Sequence, residues 1–118
     1  MHEIYYYMDK NGKSPIADYL RELVAKNDKD SRIKANKIGN YIEYLAKEGQ
    51  NAGEPYIKHL DGDIWKLRPI RDRILFAVWD GNGFVLLHLF VKKTRTTPQR
   101  EIDKAKRNLA DFKERERH

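Results

Sequence analysis

The sequence predicts an α+β fold. A small antiparallel sheet, made of an N-terminal strand and a three-strand meander, packs with a two-helix hairpin and a C-terminal helix. Three observations predict it. Short apolar runs with turn residues between them fill residues 64–91. Apolar residues at helical spacing run from Ile16 to Leu45 and return from Ile102 to Phe112. No repeat, low-complexity tract or Pro/Gly-rich linker interrupts the chain, and 118 residues is close to the usual size of one domain, so residues 1–118 read as one unit.

Each element has its own signal. Ile4 to Met8 is an aromatic and apolar run ending at Asp9-Lys10-Asn11-Gly12, a strand followed by a turn. Tyr5, Tyr6 and Tyr7 are expected to alternate between core and edge. Ser14-Pro15 opens a helix, with Ser as cap and Pro at the first helical position. Its apolar face is Ile16, Tyr19, Leu20, Leu23 and Val24, and Asn27-Asp28 breaks it. A second helix runs from about Lys29 to Lys47, with Ile38, Tyr41, Ile42 and Leu45 as its stripe and Gly49 closing it. Residues 53–62 read mostly as loop, with Pro55 and an Asp61-Gly62 turn. Strands follow at Ile64–Arg68, Arg73–Trp79 and Phe84–Val91, separated by Pro69-Ile70 and by Asp80-Gly81-Asn82-Gly83. Thr97-Pro98 starts the last helix, whose stripe is Ile102, Ala105, Leu109 and Phe112. Its end, Lys113 to His118, is a solvated charge run. The helices are expected mainly on one sheet face, which leaves the other face free to bind something.

Composition narrows the function. With 40% hydrophobic and 36% charged residues the chain is too apolar for disorder and too charged for a membrane protein. No apolar run approaches the roughly 20 residues a membrane span needs. The N-terminus lacks a basic region followed by an apolar stretch, so a cytoplasmic address is expected. The absence of cysteine excludes a disulfide framework, a thiol nucleophile and a Cys zinc site. There is no Gly-rich phosphate loop before a helix, and Asp61, Asp63, Asp72 and Asp80 are scattered over turns without metal-ligand spacing. No cofactor or metal is expected.

The formal net charge is +6. From Lys66 to Arg100 eight basic residues face two acidic ones, so this window holds the whole excess, and the remainder has sixteen of each sign. A basic patch on a neutral body is the footprint of a polyanion binder. Strand alternation puts Lys66 and Arg68 on one face, with Arg73 on the adjacent strand and Lys92 or Lys93 at the end of the next. Like charges held together repel, so their convergence calls for an external anion. Phosphate suits it, because guanidinium binds it bidentately and ammonium binds it as a point charge. Any one of these lysines read alone is an ordinary solvated residue, and it is the set that argues for a site.

Trp65-Lys66-Leu67-Arg68, Arg73 after a four-residue gap, Leu87-His88-Leu89-Phe90-Val91-Lys92-Lys93-Thr94 and the Thr97-Pro98 helix start resemble the phage-derived Gp49/HigB branch of the RelE/ParE toxin superfamily. Lys58-His59-Leu60-Asp61-Gly62-Asp63 resembles the segment before that strand. The likeness covers about residues 2–110. It implies a RelE-like fold and the toxin of a type II toxin–antitoxin pair. It also implies an mRNA interferase acting on the ribosome without a metal, in which the ribose 2′-OH attacks the adjacent phosphate. The implied partners are mRNA, the ribosome and a cognate antitoxin of the helix-turn-helix HigA type, joined in a heterotetramer.

Carried over by position, the resemblance makes Lys66 the candidate for activating the 2′-OH, Arg73 the group that holds the scissile phosphate, and Lys93 the helper of the leaving oxygen. Arg68 completes the catalytic set. Lys92, His59, Arg71 and Thr94 are supporting or RNA-binding candidates. Lys66 needs a lowered pKa for its role, and cationic neighbours are the expected cause. Two positions depart from RelE: Ile64 and Gln99 stand where RelE carries a lysine and a tyrosine. His59 is a candidate for a missing proton-transfer role, whereas His88, inside an apolar strand, reads as a packed core histidine. Two rival readings stand beside this one: a ParE-like toxin acting on gyrase, and a non-catalytic RNA- or DNA-binding module.

Overall fold

The computed structural model describes residues 1–116. Arg117 and His118, the end of the expected charge run, lie outside the described residues. Five strands and three α-helices are present among them: β1 (Glu3–Tyr6), α1 (Pro15–Ala25), α2 (Lys29–Glu48), β2 (Ile57–Asp61), β3 (Ile64–Leu67), β4 (Asp72–Trp79), β5 (Gly83–Val91) and α3 (Gln99–Glu116). A short 3-10 turn, Gly49–Ala52, follows α2.

The sheet order is β1-β5-β4-β3-β2. The chain leaves β1, passes through α1 and α2 to the far edge, and returns strand by strand until β5 meets β1. The meander from β2 to β5 is antiparallel, but β1 pairs with β5 in parallel, Ile4 opposite Phe84 and Tyr6 opposite Leu86. The sheet is therefore mixed, where the sequence suggested an antiparallel one. β2 lies inside the stretch expected as loop. Its Lys58 and His59 are exposed on the sheet edge, and such an edge strand carries polar residues that hide it from hydrophobic pattern reading.

Helices cover both faces of the sheet, not mainly one. On one face Ile16 and Leu23 of α1 and Ile38, Ile42 and Leu45 of α2 pack on Leu67, Ile74, Phe76, Phe84 and Leu86. On the other, Ala105, Leu109 and Phe112 of α3 pack on Ile64, Leu75, Ala77, Val85 and Leu87. The α3 stripe needs a sheet face as much as the hairpin does, since each large apolar side chain taken out of water contributes about 1.5–3 kcal/mol. Tyr7 is buried on the α3 face and donates to Asp111 Oδ2 at 2.6 Å, while Tyr5 and Tyr6 stay partly exposed.

Two details of α1 differ from expectation. Ser14 occupies the α1 cap position in an extended conformation, but its side chain makes no capping bond, and Val24 is 73% exposed instead of packed. The working cap belongs to α2: Asp28 accepts from the Ser31 amide at 2.8 Å. Gly49 ends α2 at φ +60°, and a Cβ there would come within 2.7 Å of the His2 ring, so glycine is required for this close approach.

β4 and β5 contain one irregularity that matters for the site. Leu75 pairs with His88, while Phe76 pairs with Leu86, so two residues of β5 face one of β4. This β-bulge resets the alternation of β5. Leu87 joins the α3-side core, and His88 next to it bonds a residue of α3, so both lie on that side.

Candidate active site

Lys66 and Arg73 are buried, at 8% and 6% exposure, although neither forms an ion pair among the described residues. Both belong to the α3 side of the sheet: Lys66 pairs with Leu75, and Arg73 pairs with Phe90. α3 covers this face only from its first turn onward. Beside that turn lies a cavity of about 390 Å³ lined by Lys66 and Arg73, by the end of β5, by the connecting segment 92–98, and by Arg100 and Glu101 of α3. Six cations (Lys66, Arg73, Lys92, Lys93, Arg95 and Arg100) and one carboxylate line it. A second hollow, lined by Ile70 and Arg71, shares Arg73 and residues 92–95 with the first.

Local contacts hold the cations in place. The Lys66 ammonium donates to Thr97 Oγ1 at 3.2 Å. Arg73 Nη1 donates to the carbonyls of Ile70 and Asp72 at 2.9 and 2.8 Å. Ile70 presents its carbonyl from a left-handed conformation, φ 51°, which is costly for a β-branched residue. Arg71 Nη2 donates to the Lys92 carbonyl at 3.1 Å, and the Lys92 amide donates to the Arg71 carbonyl at 2.7 Å, so the start of β4 and the end of β5 are clamped together. Thr94 donates to the Thr96 carbonyl at 2.7 Å and shapes the connecting segment.

The electrostatics follow from this packing. The Lys66 pKa is lowered, first by burial and then by Arg68, Arg73, Lys58 and Lys92. Cationic neighbours were the expected cause, yet desolvation leads. Arg73 is lowered for the same leading reason, with Arg68 adding to it and Asp72 opposing. Groups pushed toward losing a proton, and holding no ion pair of their own among the described residues, gain from an incoming anion.

The structure brings Lys66, Arg73, Lys92, Lys93 and Thr94 to one cavity, and Arg71 to its neighbour. It does not bring Arg68 or His59 there. Arg68 follows the last residue of β3, pairs with Glu54 Oε1 at 3.1 Å, and acts on Lys66 only through its field. His59 pairs with Trp65, one residue out of phase with Lys66. Its Nε2 contacts the Gly62 carbonyl at 2.7 Å and its ring meets Trp65, so it does not line this cavity. Sequence reading missed Thr97, Arg95, Arg100, Glu101 and Lys58, which sits directly opposite Lys66 on β2. The charge count held Arg95 and Arg100, but only the fold turns them inward. His88 was read as a packed, hydrogen-bonded core histidine; it is part-buried and bonded, its Nε2 2.6 Å from Oε1 of the cavity residue Glu101.

Among the described residues no three His, Asp or Glu side chains come together as metal ligands would, and no helix is long and apolar enough to cross a membrane. No curated protein matches the chain. A family model does: Phage derived protein Gp49-like (DUF891), over residues 18–110. That match spans most of the sequence and contains every residue lining the cationic cavity, and the chain belongs to the phage-derived Gp49-like protein family.

Proposed function

We propose that this chain is the toxin of a type II toxin–antitoxin pair and an endoribonuclease that cuts mRNA on the ribosome. Membership of the Gp49-like family, which falls in the RelE/HigB-like toxin group, supports the toxin role. One observation carries the nuclease reading: Lys66 and Arg73 are buried side by side, without ion pairs, at a cavity open to solvent and lined by four further cations. Such an arrangement lowers stability unless an anion fills it. A single-stranded RNA backbone supplies that anion.

In this reading Arg73 holds the scissile phosphate and, with Lys92 and Arg95, offsets charge on the phosphorane-like transition state. Lys66 activates the 2′-OH by stabilising the alkoxide as the 2′ proton passes to an acceptor lining the cavity. Lys93 gives a proton to the leaving 5′ oxygen. Cleavage leaves a 2′,3′-cyclic phosphate and a 5′-OH, and no step requires a metal. Arg71 and the second hollow extend the surface for the neighbouring nucleotide. A helix-turn-helix antitoxin in a heterotetramer would silence the protein by covering the basic cavity or its ribosomal docking surface. The cytoplasm is where such a target is found.

The test is direct. Protein added to translating ribosomes cuts mRNA, and Arg73→Ala or Lys93→Ala abolishes the cut while circular dichroism shows the fold retained. Intact mRNA with folded protein removes the nuclease reading. Salt-sensitive RNA binding without cleavage leaves a binding module, and inhibited DNA supercoiling leaves a gyrase toxin.

A further inference from the structure

The cavity contains one negative group, and its placement is unusual. A carboxylate among phosphate-binding cations repels the ligand, so its presence needs a reason beyond binding. Glu101 stands in the first turn of α3. His88 Nε2 lies 2.6 Å from its Oε1, and Oε2 is 3.7 Å from Arg100 Nε. An ionised carboxylate only accepts, so Nε2 carries the hydrogen and Oε1 is held in place. The His88 ring is stacked against Phe90 at 6.0 Å, which fixes it in turn. The β5 bulge puts His88 on this side of the sheet at all.

We propose that Glu101, oriented by His88, is the proton acceptor for the ribose 2′-OH in the RNA cleavage proposed above, on which this inference rests. As the O2′–P bond forms, the 2′ proton passes to Glu101 Oε2. As the P–O5′ bond breaks, the leaving oxygen takes a proton from the Lys93 ammonium. Lys66 remains an ammonium, held by Thr97, beside the developing alkoxide. Solvent then restores both protons. Ile64 is fully buried in the α3-side core and Gln99 bonds Asp103, so neither lines the cavity, and Glu101 is the carboxylate that does. His88 acts through Glu101 and is a positioning residue.

Other charged groups share Glu101's surroundings: Lys66 from β3, Arg73 from β4, His88 from β5, Lys92, Lys93 and Arg95 from the connecting segment, and Arg100 beside it. Only a variant at Glu101 itself therefore assigns a pH effect to it. E101Q keeps an acceptor for His88 Nε2 and so keeps the helix attached.

The experiment measures single-turnover cleavage of mRNA on ribosomes across pH, together with binding of an RNA carrying a 2′-deoxy group at the scissile position. Wild type is expected to lose rate on the acid side, and E101Q to bind this probe as tightly as wild type or tighter, to cut about a hundredfold or more slowly, and to lack that acid-side fall. H88Q is expected to slow cleavage less and to keep that acid-side fall. If E101Q cuts within threefold of wild type, or keeps the acid-side fall, Glu101 is not the acceptor although the nuclease reading stands. If wild type cuts no RNA, both fall together.

Discussion

The Lys66 ammonium donates to Thr97 Oγ1 at 3.2 Å, which joins a buried strand cation to the segment that starts α3. This bond spans thirty-one positions of sequence and places Lys66 at the meeting point of sheet, connecting segment and helix. Thr97→Val removes the acceptor and leaves a buried ammonium less solvated. Hydrogen bonds to charged groups are worth about 1.5–3 kcal/mol. Denaturant titration should show a loss near the low end of that range, because 3.2 Å is long for such a bond. Thr97→Ser should restore most of it. A Val variant as stable as wild type would show that this bond contributes nothing.

Lys66→Met tests the cost of the charge. Burial and like-charged neighbours lower the Lys66 pKa in the folded protein. Between that value and its ordinary one, about 10.4, the unfolded chain binds more protons, so stability rises with pH. The penalty is therefore fully present below the folded value, shrinks as pH rises past it, and is gone above the ordinary value of about 10.4. Lys66→Met should be more stable than wild type at pH 7, and the gap should narrow toward pH 10. Cleavage should fall at least a hundredfold in the same protein. A Met variant less stable at pH 7 would mean that lost packing outweighs relief of the charge.

Ile70→Gly addresses the left-handed residue whose carbonyl accepts from Arg73. The φ of 51° costs a β-branched side chain on the order of 1–3 kcal/mol. Glycine relieves this but adds about 0.5–1 kcal/mol of unfolded-chain entropy. The side chain is 49% exposed, so little burial is lost. The net expectation is a gain of about 1 kcal/mol, read as a raised denaturation midpoint with an unchanged slope. A drop would show that the Ile70 side chain packs more than its exposure suggests.

Salt dependence reports the cationic lining. Removing one phosphate contact to a single strand should flatten the plot of log affinity against log salt by about 0.7. Lys92→Ala and Arg95→Ala should each do this with a non-cleavable RNA. Lys29→Ala, at the start of α2, should leave the slope as it is. Equal slopes in all three would place the RNA elsewhere on the surface.

Much of this was legible in the sequence. Helix stripes such as Ile38, Ile42 and Leu45 fix their own faces by periodicity, and the Lys66, Arg73 and Lys93 set followed from charge placement, alternation and family resemblance. What escaped depended on distant chain. The parallel pairing of β1 needs β5 to reach that edge, and no local signal encodes it. His88 shares the parity of Phe84 and Leu86, which face the α1–α2 core, so uninterrupted alternation assigns it to that core. The bulge carries it to the other side. His59 lies away from the cavity for the converse reason: closeness in sequence put it beside Lys66, but adjacent strand residues face opposite ways. Thr97, Arg100 and Glu101 became cavity residues only because α3 turns back over the sheet.

Every residue lining the two hollows comes from one uninterrupted stretch, Lys66 to Glu101. The lining of both hollows is thus one cassette of sequence. Among the first sixty-five residues Lys58 reaches it directly, through its charge on Lys66, while the buried residues of α1 and α2 act through the stability of the platform beneath. A chimera that joins residues 66–101 of this chain to a relative's N-terminal half should inherit its RNA affinity from the former and its melting temperature from the latter.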